Sequence, residues 1–108
     1  MKNICIIGDG AWGTAMATLL AHNGYMVKMW CHNKDVPDQI NKNRINECYL
    51  PGIELHTNIY PTLNLQEAMS DTDIIFEAVP VKYLRSVLEQ AKEYYYQDQI
   101  LVVLSKGI

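Results

Sequence analysis

Gly8-Asp9-Gly10-Ala11-Trp12-Gly13 sets three glycines at the spacing G-x-G-x-x-G. The pattern alone is weak, because three glycines in six positions recur by chance. Its setting makes it specific: it follows a short apolar run and opens a segment with helical periodicity, as a dinucleotide-binding turn requires. In that chemistry Gly8 permits the tight turn and Gly10 removes a Cβ that would meet a pyrophosphate. Gly13 lets the helix pack closely, and main-chain N–H groups of the first helical turn hold the anion. The alternative is a glycine-rich strand-to-helix turn with no ligand.

The second half of such a fingerprint is an acid at the end of the second strand, about 20 residues on, which accepts from the ribose 2′-OH. Here that stretch reads Trp30-Cys31-His32-Asn33-Lys34, and the first acid is Asp35. His32, Asn33 and Lys34 do not repel a 2′-phosphate, so the site is expected to tolerate NADP, while Asp35 within reach of a ribose keeps NAD open. His32 and Lys34 also read as ordinary solvated loop residues. Trp12 is either a packing residue of the first helical turn or a ligand contact. Lys106, just past the last apolar run, is either a terminal lysine or a cation at the site edge, placed to meet a phosphate or carbonyl oxygen. His22, His32 and His56 show no ligand spacing, so no metal is expected. Asp9 has no neighbouring carboxylate or histidine to make it a general base.

The elements that must position these groups follow from periodicity. Ile4-Cys5-Ile6-Ile7 is continuously apolar and reads as a strand buried on both faces. Ala11 to Asn23 reads as a helix, with Trp12, Met16, Leu19 and Leu20 at helical spacing and Gly24 as its left-handed cap. Tyr25 to Trp30 is a second strand. Lys34 to Asn46 is a polar helix in which Pro37 fits only the first turn. Tyr49-Leu50-Pro51-Gly52 is turn chemistry, and Ile53 to Asn58 is the candidate third strand. A brief helix over Asn64 to Ser70 precedes a strand at Asp73 to Val79. Pro80 then starts a helix whose apolar face is Leu84, Val87, Leu88 and Ala91, with Tyr94-Tyr95-Tyr96 at its end. Gln99 to Leu104 is the fifth strand.

Strands alternating with helices imply right-handed crossovers and an α/β, Rossmann-type doubly wound parallel sheet, with expected order 3-2-1-4-5. Residues 8 to 13, 80 to 83 and 105 to 107 then face one crevice at the carboxyl edge, which makes Pro80 a further candidate contact. The 108 residues suit one domain with one core, and 49% apolar residues supply it. A formal charge of −3 with 9 Lys and Arg offers no general basic field for nucleic acid. Cys5, Cys31 and Cys48 form no C-x-x-C pair, and an odd number cannot close a complete disulfide framework, which fits a reducing cytoplasm. Neither a signal peptide nor a membrane span of about 20 residues is readable.

Four segments together resemble the N-terminal half of NAD(P)-dependent glycerol-3-phosphate dehydrogenase of the soluble bacterial type. They are Gly8 to Ala15, Asn46 to Ile53, Ala78-Val79-Pro80 with the helix after it, and Ser105-Lys106-Gly107-Ile108. The combination of Trp-Gly-Thr-Ala, Tyr-Leu-Pro-Gly and Ser-Lys-Gly is more specific than the glycine pattern. The resemblance implies a coenzyme-binding domain over residues 1–108 of an enzyme that interconverts sn-glycerol 3-phosphate and dihydroxyacetone phosphate for phospholipid synthesis. It implies that Ala11, Trp12 and Tyr49 touch NAD or NADP and that Lys106 contacts both coenzyme and substrate. Where the family commonly has Arg after the second-strand Trp, this chain has His32 and Asn33, which weakens the hold on a 2′-phosphate. The family's lysine base belongs to a helical C-terminal domain, so no catalytic base is expected within these residues, and the full-length enzyme is expected to be a homodimer. Two other readings stay open: a free-standing NAD(P)-binding or redox-sensing module, and the cofactor domain of a hydroxy-acid or sugar-nucleotide dehydrogenase.

Overall fold

Five parallel strands alternate with four helices in the computed structural model, which describes residues 3–96 and 98–104. The strands are β1 (Asn3–Ile7), β2 (Met26–Trp30), β3 (Ile59–Thr62), β4 (Ile74–Glu77) and β5 (Ile100–Val103). The helices are α1 (Ala11–His22), α2 (Asp35–Asn43), α3 (Leu65–Met69) and α4 (Val81–Ala91). The sheet order is β3-β2-β1-β4-β5, as the alternation requires. No helix among the described residues is long and apolar enough to cross a membrane.

β1 lies at the centre, and its apolar run divides between two cores. Ile4 and Ile6 join Val27, Met29, Ile59 and the inner faces of α1 and α2. Cys5 and Ile7 join Trp30, Ile75 and the inner faces of α3 and α4. The period-2 alternation of side chains explains why every residue from Ile4 to Ile7 is apolar: each face has a helical layer to meet. Lys28, on the second face of β2, donates from Nζ to the Ser70 carbonyl at 2.8 Å and to Ser70 Oγ at 3.2 Å. It thereby caps the C-terminal end of α3.

α1 forms where the sequence places it, but it buries a different face. Gly13, Thr14, Ala17 and Ala21 are buried, whereas Trp12 and Leu19 are exposed and Met16 and Leu20 pack at the margin. Small residues let the helix axis approach the sheet, and large residues at those positions would hold it off. Gly24, with φ +95°, follows the helix, and the N–H groups of Gly24 and Tyr25 return to the Ala21 and Leu20 carbonyls.

The third strand is not Ile53 to Asn58 but Ile59–Thr62, which contains Pro61. Val27 N–H donates to the Asn58 carbonyl and Cys31 N–H to the Thr62 carbonyl, so the even-numbered residues of β3 face β2. Pro61 therefore stands where an N–H would point away from the sheet, on an edge strand, and costs no ladder bond. The stretch from Ile53 contributes Leu55 to the core, with its N–H on the Arg44 carbonyl. α2 ends at Asn43, short of the expected Asn46, because Arg44 turns left-handed at φ 58°. Its guanidinium then donates to the carbonyls of His56 and Ile59 along the outer edge of β3. Of the expected α4 face, Val87 and Ala91 are buried, and Leu84 and Leu88 only half so. The helix stops at Ala91, ahead of the three tyrosines.

Candidate functional site

The register aligns Ile7 with Trp30 on one side and with Glu77 on the other, so β1, β2 and β4 end level. Chain leaves β1 toward α1 on one face of the sheet and leaves β4 toward α4 on the other. The two departures open a crevice at the carboxyl edge, where ligands of such sheets bind. A cleft of about 580 Å³ occupies that position. Its floor is the turn after β1 and the Ala78-Val79-Pro80 turn after β4. Trp30 and His32 form one wall, Val81, Tyr83 and Val87 form the other, and Trp12 and Tyr49 stand at the rim.

Close approach fixes the floor. Gly8 has φ +145°, and a Cβ there would stand 2.6 Å from the Ala78 carbonyl oxygen. A Cβ on Gly13 would stand 2.7 Å from the Gly8 carbonyl oxygen. Both distances fall well below van der Waals contact, so only glycine lets β1, β4 and α1 converge. Gly10 differs: nothing lies within 4 Å of the place its Cβ would take. The first α1 hydrogen bond runs from Thr14 N–H to the Gly10 carbonyl at 2.9 Å. The N–H groups of Ala11, Trp12 and Gly13 precede it and have no acceptor within the helix. The helix dipole adds positive potential at the same place, so the turn can hold an anion.

A buried polar network hangs the rim on this floor. Asn46, fully buried, donates from Nδ2 to the Asp9 carbonyl at 2.8 Å and to Thr14 Oγ1 at 2.9 Å. Its Oδ1 accepts the Tyr49 N–H at 3.2 Å, and Tyr49 Oη accepts from Asn33 Nδ2 at 3.3 Å. Asp9 is itself buried, and its Oδ2 accepts the Asn33 N–H at 2.9 Å. Glu77, buried below the cleft, accepts the Val79 N–H and shapes the turn before Pro80. Across the mouth, the rings of His32 and Tyr83 stack with centroids 5.8 Å apart and 20° between planes, while Trp30 meets His32 edge-on.

The two buried thiols take no part in this chemistry. Burial pushes the Cys5 thiol up to about 12. Cys31 is raised to about 12 by burial first and by the nearby Asp9 charge second. Both are protonated at neutral pH and therefore poor nucleophiles.

Of the residues singled out from the sequence, Gly8, Gly10, Ala11, Trp12, His32, Tyr49 and Pro80 line the cleft. Gly13 lies beneath it, against Gly8. Trp12 is 56% exposed at the rim, which removes the reading of it as a core residue. Asn33 does not line the cleft. Its side chain is spent on Tyr49, Cys48 and the Asp35 N–H, so it braces the wall from behind. Lys106 lies outside the described residues. Sequence reasoning placed Asp9 at the crevice within residues 8 to 13 but gave its carboxylate no binding role, having weighed it only as a base. It missed Asn46 because nothing local marks an asparagine as buried.

A family model described as the N-terminus of NAD-dependent glycerol-3-phosphate dehydrogenase matches residues 3–108. The glycerol-3-phosphate dehydrogenase (NAD(P)+) of Bacillus velezensis is 45% identical over 108 residues, covering all of this chain and 31% of that protein. Among solved structures, glycerol-3-phosphate dehydrogenase from Coxiella burnetii superposes with a TM-score of 0.89 at 26% identity, over 98% of this chain and 34% of that one. The Saccharomyces cerevisiae enzyme GPD1 superposes with a TM-score of 0.88 at 30% identity, over 99% of this chain and 34% of that one. The chain thus spans about a third of the length of the relatives it matches. With a cleft at the sheet's switch point, a glycine turn in its floor and a family match over nearly every residue, the chain belongs to the NAD-dependent glycerol-3-phosphate dehydrogenase family, as its N-terminal part.

Proposed function

We propose that this chain is the coenzyme-holding part of a cytoplasmic oxidoreductase that interconverts sn-glycerol 3-phosphate and dihydroxyacetone phosphate with NAD(H) or NADP(H). The whole enzyme, a homodimer in this reading, serves glycerophospholipid synthesis. The observation that carries the proposal is the turn from Gly8 to Gly13. It is closed by backbone contact at Gly8 and Gly13, yet at Gly10 it is open toward the cleft. A pyrophosphate fits there, its oxygens on the N–H groups of the first α1 turn, and a side chain at Gly10 would stand in its way.

The remaining lining suits the rest of a dinucleotide. Trp12, Ala11 and Pro80 border the phosphate turn, and Tyr49 and His32 stand toward the end of β2, where the adenosine half lies in such folds. An adenine entering there meets the His32–Tyr83 stack and must slide against it or part it. Bound coenzyme supplies the hydride-transfer chemistry, and this chain's share is to bind it, orient it and exclude water from one of its faces. In this reading the general base and most substrate contacts belong to a helical domain outside residues 1–108. Lys106 is proposed to reach both coenzyme and substrate.

Titration of the 108-residue chain with NADH, followed by quenching of Trp12 and Trp30 fluorescence, tests the reading. Saturable quenching is expected, with no oxidation of glycerol 3-phosphate above background. Absence of saturable binding by NADH and NADPH alike would overturn the proposal.

A further inference from the structure

The 31–34 segment carries the coenzyme choice in the sequence, but the structure gives its side chains other work. The His32 ring is engaged with Tyr83 and Trp30. Asn33 is turned to Tyr49, Cys48 and the Asp35 N–H. Lys34 is exposed at the start of α2, where water screens its charge and Asp35 and Asp38 follow in the first turn.

The charged group that does reach the end of β2 comes from the phosphate turn. Asp9 lines the cleft, is only 7% exposed, and is tied through Oδ2 to the backbone N–H of Asn33, three residues beyond the last residue of β2. A fingerprint acid would extend its carboxylate to that spot from the strand end. Here the carboxylate is delivered from the first turn, 24 positions earlier in the chain. Two further contacts fix the Asp9 backbone: its carbonyl accepts from Asn46 Nδ2 at 2.8 Å and Thr14 Oγ1 at 3.2 Å. The side chain therefore has little freedom to swing away from an incoming ligand.

We propose that Asp9 sets the coenzyme choice, its carboxylate accepting a hydrogen bond from the ribose 2′-OH of NAD(H) and repelling the 2′-phosphate of NADP(H). This rests on the coenzyme reading above and reverses the tolerance of NADP expected from His32, Asn33 and Lys34. The placement explains how a chain without an acid at the β2 terminus still presents one there. A charge held in a poorly solvated position also acts more strongly on a second anion than the same charge in open water.

Affinities of NADH and NADPH for the wild-type chain, D9N and D9S test the assignment, alongside ADP and 2′,5′-ADP as probes differing only in the 2′-phosphate. D9N keeps an oxygen for the Asn33 N–H while losing the charge. The wild type is expected to bind NADH and ADP at least tenfold more tightly than their 2′-phosphorylated counterparts. In D9N and D9S the gap should narrow to within about threefold, chiefly through tighter NADPH binding. If NADPH or 2′,5′-ADP binds the wild type as well as its counterpart, or if the ratio is unchanged in both variants, Asp9 is not the determinant while the coenzyme reading stands. If no nucleotide binds the wild type at all, both fail together. Should one variant lose its cooperative melting transition, the ratio in the other decides the matter.

Discussion

At the scale of single residues, the three glycines of the turn look alike in sequence and do different things. Gly13→Ala drives a Cβ against the Gly8 carbonyl. It is expected to cost about 1–3 kcal/mol as backbone overpacking, a drop of several degrees in Tm by thermal melting. Gly10 has φ −71°, which any L-residue adopts, and open space beside it. Gly10→Ala should therefore leave the melting temperature unchanged or slightly higher while weakening NADH binding at least tenfold, read by fluorescence titration. Equal effects of the two substitutions on binding and stability would contradict the division of labour. The motif was legible as a string, but only the neighbours at each Cβ position tell which glycine serves the fold and which the ligand. Asp9 makes the same point more sharply: within the motif it is a filler position, and in space it is the carboxylate at the end of β2.

At the scale of elements, the loop after α2 decides the rim. Asn46 joins the β1–α1 turn to the segment carrying Tyr49 through three hydrogen bonds. Asn46→Ala leaves the Tyr49 N–H without its acceptor and the buried Asp9 carbonyl with Thr14 Oγ1 as its remaining donor, at a cost of about 1–3 kcal/mol. It should also weaken NADH binding by loosening Tyr49. A variant with wild-type Tm in a thermal melt would show that water replaces the network. Most helices and strands were readable because their periodicities are local. The third strand was not. Ile53 to Asn58 carries the stronger apolar pattern, while Pro61 argues against Ile59–Thr62 until that strand is known to lie at an edge. The inner face of α1 is likewise not the one its large apolar residues mark, because close packing on a sheet selects Gly13, Ala17 and Ala21.

At the scale of the whole molecule, the cleft joins α1, the β4–α4 turn and the 46–52 loop, so a ligand that fills it stabilises all three against unfolding. NADH at 100 times its Kd should add about 2.7 kcal/mol of stability. For a domain of this size that is a rise in Tm of about 10–20 °C, measured by differential scanning fluorimetry. At the same NADH concentration Gly10→Ala should retain its own Tm and lose about half of that increment or more. The sequence by itself determined the alternation of strands and helices, hence a parallel doubly wound sheet with a phosphate turn at its switch point. Those follow from side-chain period, glycine and chain handedness, which act between near neighbours. Tertiary structure alone decided which groups meet in the cleft. Asp9 reaches Asn33 across 24 positions and Asn46 reaches Asp9 across 37. Contacts of that span depend on how sheet register and helix packing bring distant loops together, which no local pattern records.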